Sequence, residues 1–140
     1  MRRLLLPFFF CGLVIIIFLN ACNEETIKYQ SYYSSGSALY KTHCSNCHMD
    51  DGEGLEALIP PLTDTTFLKN NREKLACFIV YGLKDTIVIN GKTYDGVMPA
   101  ETHLAPIEIA KLLTYITNTF GNNQGIYELS EVEKNLRKCD

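Results

Sequence analysis

A chain of 140 residues with 46% hydrophobic and 21% charged side chains suits one small globular domain rather than two. Its 13 basic side chains are outnumbered by 16 acidic ones, and no basic cluster is present that would track a phosphate backbone. Nucleic acid is thereby set aside as a partner.

The apolar residues are unevenly spread. Met1-Arg2-Arg3 is a short positive start, and LLLPFFFCGLVIIIFL, from Leu4 to Leu19, is uncharged and apolar. That is the layout of a secretory signal, here residues 1–21. The run is slightly shorter than the roughly 18 apolar residues of a spanning helix, so a retained anchor helix is the alternative. Leu19-Asn20-Ala21-Cys22 resembles a bacterial lipobox, with Asn20 in place of the usual small residue. The resemblance implies cleavage before Cys22, lipidation of its thiol and stable membrane anchoring through more than one acyl chain. Either way the domain is expected outside the cytoplasmic membrane, on the periplasmic side or the cell surface. Loss of Arg2 and Arg3 leaves 11 basic against 16 acidic side chains. Residues 22–37, polar and serine-rich without apolar periodicity, read as a flexible tether.

GSALYKTHCSNCH follows with helical character and opens the domain proper, residues 38–121. It holds Cys44, Cys47 and His48 in a Cys-x-x-Cys-His array. A thioredoxin-like dithiol would need a strand before the motif. Structural zinc would need four surrounding ligands. Adjacent residues do not surround one ion, so zinc would require Cys77 or His103 as well. Covalent haem accounts for more: thiols at i and i+3 of a helical turn face one way and can add to two vinyl groups along one porphyrin edge, and His48 then ends the helix as an iron ligand.

Ile59-Pro60-Pro61-Leu62 is a rigid turn. Arg72 to Gly82, REKLACFIVYG, has helical apolar spacing and a glycine stop. TIVINGKTY alternates about Asn90-Gly91, a hairpin signal. It leads to Met98, whose soft thioether suits low-spin iron and whose neighbour Pro99 stiffens the loop. His103 is the competing distal ligand, and a core methionine is the plain alternative for Met98. Pro106 opens a helix, IEIAKLLTYITNTFG, with Ile109, Leu112, Leu113 and Ile116 toward the core. Residues 122–140 form an extension with a short helix, for which Ser130 and Glu133 offer a capping box. Cys77 and Cys139 either bridge or remain a buried thiol and a tail thiol.

With these motifs in place, residues 36–121 resemble a class I monohaem cytochrome c. Gly36 and Tyr40 stand eight and four residues before Cys44, and Leu112 and Tyr115 match the terminal helix on which that pair packs. The resemblance implies an all-α class I cytochrome c fold around one covalently bound haem c, with a small β-hairpin before the Met loop. It further implies Cys44 and Cys47 as thioether anchors, His48 and Met98 as axial iron ligands, and a backbone carbonyl, of Pro60 before Pro61, accepting the His48 ring N–H. Leu62, Phe67, Leu75, Ile79, Met98 and Leu104 are candidates for the haem pocket. The function expected is Fe(III)/Fe(II) cycling between respiratory donor and acceptor proteins that meet the haem edge transiently, with no catalytic residues. An open-site haem enzyme or sensor using Asp95, Glu101 or His103, and a fixed cytochrome subunit of a dehydrogenase or oxidase, are the alternatives.

Overall fold

The computed structural model describes residues 23–139, and the chain divides into two compact units, residues 1–30 and 31–140. The expected leader, Cys11 and the expected lipidation site Cys22 lie outside the described residues. Among those residues no helix is long and apolar enough to cross a membrane.

Helix α1, Glu24–His43, corrects the expected tether. Glu24 and Glu25 occupy its first turn and Lys41 and His43 its last, the polarity that suits the helix dipole. In the larger unit its inner face is built from Tyr32, Tyr33, Gly36 and Tyr40, a helical spacing that the surrounding serines obscure. Helix α2, Ser45–His48, follows within two residues. Helix α3 is Thr65–Asn70, opened by the Asp64 carboxylate accepting from Phe67 N–H, and a 3₁₀ turn, Arg72–Lys74, leads into α4, Leu75–Tyr81. Strands β1, Ile87–Ile89, and β2, Lys92–Tyr94, pair antiparallel with Ile87 opposite Tyr94 and Val88 opposite Thr93. Asn90 and Gly91 form the turn at φ 52° and 75°, the left-handed pair that a two-residue hairpin requires. Helix α5, Pro106–Ile116, carries proline in its first turn and is closed at the front by Glu108 Oε2, which accepts from Ala105 N–H at 2.8 Å. Helix α6, Leu129–Leu136, is the last helix among the described residues.

The crossing of α1 and α5 is set by Gly36. A Cβ there would fall 2.0 Å from the Lys111 carbonyl oxygen, so the backbones approach as only glycine permits. Tyr40 stacks at 5.4 Å from both Tyr115 and Phe120, and Tyr33 lies 5.2 Å from Tyr115. Ile109, Leu112, Leu113 and Ile116 join Leu68, Leu75, Ala76 and Ile79 in one core, each large side chain contributing about 2 kcal/mol by leaving water.

The extension is an integral layer. Tyr127, fully buried, donates its hydroxyl to the Arg72 carbonyl and accepts from Asn135 Nδ2. The Arg72 guanidinium lies 4.2 Å above the Tyr127 ring and binds Glu131 through two nitrogens at 2.7 and 2.9 Å. Cys77 and Cys139 form a disulfide between α4 and the tail. The expected capping box does not form: the helix starts two residues earlier, with Glu128 at the cap and Ser130 already inside. The buried Tyr127 and the Arg72–Glu131 pair set where α6 begins.

Candidate functional site

Cys44 caps α2, Cys47 lies in its last turn and His48 ends it, so the array occupies one turn of helix. Both cysteines are free, Cys47 exposed and Cys44 half-buried. Burial, together with the Glu101 carboxylate and Cys47, pushes the Cys44 thiol up to about 12. A dithiol that exchanges disulfides needs the opposite shift. Cys77, a ligand that a zinc site would need, is committed to its disulfide.

After His48 the chain reverses. Met49 takes φ 61°, and its carbonyl accepts the Tyr40 hydroxyl at 2.6 Å, which ties the turn to α1. Gly54 N–H returns to the His48 carbonyl, Leu62 N–H reaches the Gly52 carbonyl at 2.7 Å, and Leu55 and Ile59 exchange backbone bonds. This folded loop brings the Pro60 carbonyl 3.1 Å from His48 Nδ1. With Nδ1 engaged as the donor, Nε2 is the ring nitrogen left with a lone pair. Burial lowers the His48 pKa, against the Pro60 contact that raises it, and so favours the neutral ring that binds metal.

Met98 arrives from the other side of the chain. Its N–H and carbonyl both pair with Leu83, at 2.9 and 3.0 Å, immediately after α4 ends. Two adjoining cavities share His48, Pro60, Leu83, Ile87 and Met98 in their walls. Cys44 borders the first and Cys47 the second. The first is apolar, with Leu62, Phe67, Leu75 and Ile79 of the expected pocket set. Phe78 also lines it, as does Ile116, which was expected only to face the core. Leu104 does not line it and packs on the core instead. His103 is exposed and borders neither cavity. Arg72 is engaged by Glu131, Gln124 and Ile126, whereas Tyr94 borders the second cavity.

These residues fit a covalently held haem. Two free thiols, a neutral imidazole oriented by a carbonyl and a thioether face an apolar slot. Leu58 and Val97, 67% and 65% exposed, stand on the lips of the second cavity beside the exposed Cys47.

Comparison with known proteins agrees with this chemistry. Residues 32–116 match the family described as cytochrome C oxidase, cbb3-type, subunit III. Over 93 residues the chain is 31% identical to cytochrome c-552 of Thermus thermophilus, covering 64% of this chain and 70% of that protein. A second cytochrome c-552, from a particular strain of Thermus thermophilus, matches at the same 31% identity over 62% of its length. The alcohol dehydrogenase (quinone), cytochrome c subunit, of Gluconobacter oxydans (strain 621H) is 28% identical over 106 residues, which cover 72% of this chain and 22% of that subunit.

Proposed function

Since the chain belongs to the cytochrome c family, whose work is electron transfer through covalently bound haem c, we infer that it is a class I monohaem carrier, membrane-anchored and extracytoplasmic. Cys44 and Cys47 would hold the haem as thioethers, and His48 and Met98 would ligate its iron. The observation that carries this reading is the His48–Pro60 contact beside a cavity that His48 and Met98 both border. Haem c, once bound, supplies reversible one-electron exchange between Fe(III) and Fe(II). The Pro60 carbonyl orients His48 and strengthens it as a donor. The Met98 thioether raises the potential relative to stronger donors. Leu62, Phe67, Leu75 and Ile79 exclude water, which disfavours the extra charge of the ferric state. Electrons leave and enter at the face bordered by Leu58 and Val97, where a redox protein docks through a small, transient contact.

With Cys22 of the lipobox-like segment lipidated, the anchor stands two residues before the first helical residue, Glu24. The Cys77–Cys139 disulfide supports an oxidising, exported location. A fixed cytochrome subunit is the second reading, favoured by the similarity to a dehydrogenase's cytochrome c subunit; copurification of a dehydrogenase with the chain would select it.

The test is the visible spectrum of the purified protein after coexpression with haem-attachment machinery. Sharp reduced bands and a weak far-red ferric band, the latter lost in Met98→Ala, are expected. A colourless protein, or a high-spin spectrum indifferent to Met98→Ala, overturns the reading. In the same cells Cys22→Ala releases the coloured protein from membranes; full retention would instead indicate an uncleaved leader.

A further inference from the structure

The loop that carries Met98 is fastened on one side to α4. Besides the two Leu83 bonds, Glu101 N–H donates to the Ile79 carbonyl at 2.8 Å. That bond fixes the Glu101 backbone and directs its side chain across to α1. There Glu101 Oε2 lies 3.2 Å from His43 Nδ1, with the two side chains only 33% and 26% exposed. His43 immediately precedes Cys44, and the Glu101 carboxylate is close enough to raise the Cys44 thiol pKa. One contact therefore joins the wall bearing the distal sulfur to the wall bearing the haem anchors.

We propose that the His43–Glu101 pair is a latch that keeps the Met98 loop closed, making His43 and Glu101 positioning residues for the axial thioether. The proposal rests on the His48/Met98 ligation inferred above. A pair of partly exposed groups is worth up to about 1 kcal/mol. Its loss therefore raises the open-loop population by about two- to fivefold, and an added ligand that needs the open loop binds tighter by the same factor.

Imidazole is the probe, titrated into the oxidised, haem-loaded full chain. Glu101→Ala and His43→Ala are each expected to tighten imidazole binding about two- to fivefold and to weaken the far-red ferric band in parallel. The double variant should do no more than either single one, because both remove the same contact. His43→Lys, which still offers an N–H donor to Glu101, should retain wild-type affinity. Wild-type affinity in His43→Ala overturns the latch, since a carboxylate acting only as a nearby charge survives that change. Additive effects in the double variant overturn it equally. Absence of the far-red band from the wild-type protein overturns the ligation reading and the latch with it; a normal band with unmoved imidazole affinities overturns the latch alone.

Discussion

Gly82 has φ 75° at the end of α4, and a Cβ on it would lie 2.4 Å from the Met98 carbonyl oxygen. The residue therefore answers two demands at once: a left-handed stop for the helix and room for the strand-like pairing of Leu83 with Met98. A side chain meets strain in the backbone and a collision with the loop. Gly82→Ala is expected to cost about 1–3 kcal/mol, read as a lowered denaturant midpoint, and to weaken the far-red band of the ferric protein because the displaced segment is the one holding Met98. An unchanged midpoint with an unchanged band would refute the steric argument. The residues of the slot were legible because their chemistry is local: a Cys-x-x-Cys-His turn and a Met-Pro pair are short, and a proline carbonyl at the right distance in sequence can be matched to a ring N–H. The His43–Glu101 contact was not, since a histidine beside a cysteine motif and a glutamate on a loop carry no mark of each other. Leu104 was misplaced for a related reason, as apolarity alone does not say whether a side chain faces the core or the cavity.

At the scale of elements, α6 and the segment before it are held by a polar network around Tyr127. The hydroxyl serves as donor to the Arg72 carbonyl and as acceptor from Asn135, while the ring carries the guanidinium. Burial first, and the Glu131 charge second, push the Tyr127 phenol up to about 12 from the ordinary value of 10.0. A phenol whose folded pKa is raised contributes stability in full below the unfolded value and loses it as pH climbs through the folded one. The Tyr127 contribution is thus expected to fade between about pH 10 and pH 12. Tyr127→Phe should cost about 1–3 kcal/mol at neutral pH, because a buried carbonyl and amide lose their partner, and its deficit against wild type should shrink over that alkaline range. Equal deficits in urea melts at both ends of the range would contradict this account. Elements with strong periodicity or turn chemistry, such as α5 behind Pro106 and the Asn90-Gly91 hairpin, were readable from the chain. Helix α1 was hidden because its inward face is tyrosine and glycine, and serines surround it, so composition masks the helical spacing. The start of α6 was hidden because an ion pair 59 residues apart, and not a local cap, decides it.

On the scale of the whole molecule, the matched family segment ends at residue 116, and everything after it is added reinforcement for the larger unit. The Cys77–Cys139 bridge spans 62 residues of sequence, enclosing the hairpin, the Met98 loop, α5 and α6. In the chain-entropy model a loop of that length is worth about 4 kcal/mol. Cys139→Ser is accordingly expected to lower the melting temperature markedly while leaving the haem covalently attached, a pair of results that calorimetry and a denaturing gel stained for haem would check together. A chain that keeps its melting temperature would show the bridge to be idle. The same bridge has a consequence for how the protein is made. The four cysteines among the described residues admit three pairings, and under the proposed haem attachment the closest pair in sequence, Cys44 with Cys47, is the one that must stay reduced. On that proposal, biogenesis requires opposite oxidation states of two cysteine pairs in one nascent chain. The geography of the fold suits that division: Cys47 lies open to a passing reductant, while Cys139 is screened against α4 once α6 has docked. Closure of the tail before haem loading would let a single reducing pathway act on one pair and pass over the other.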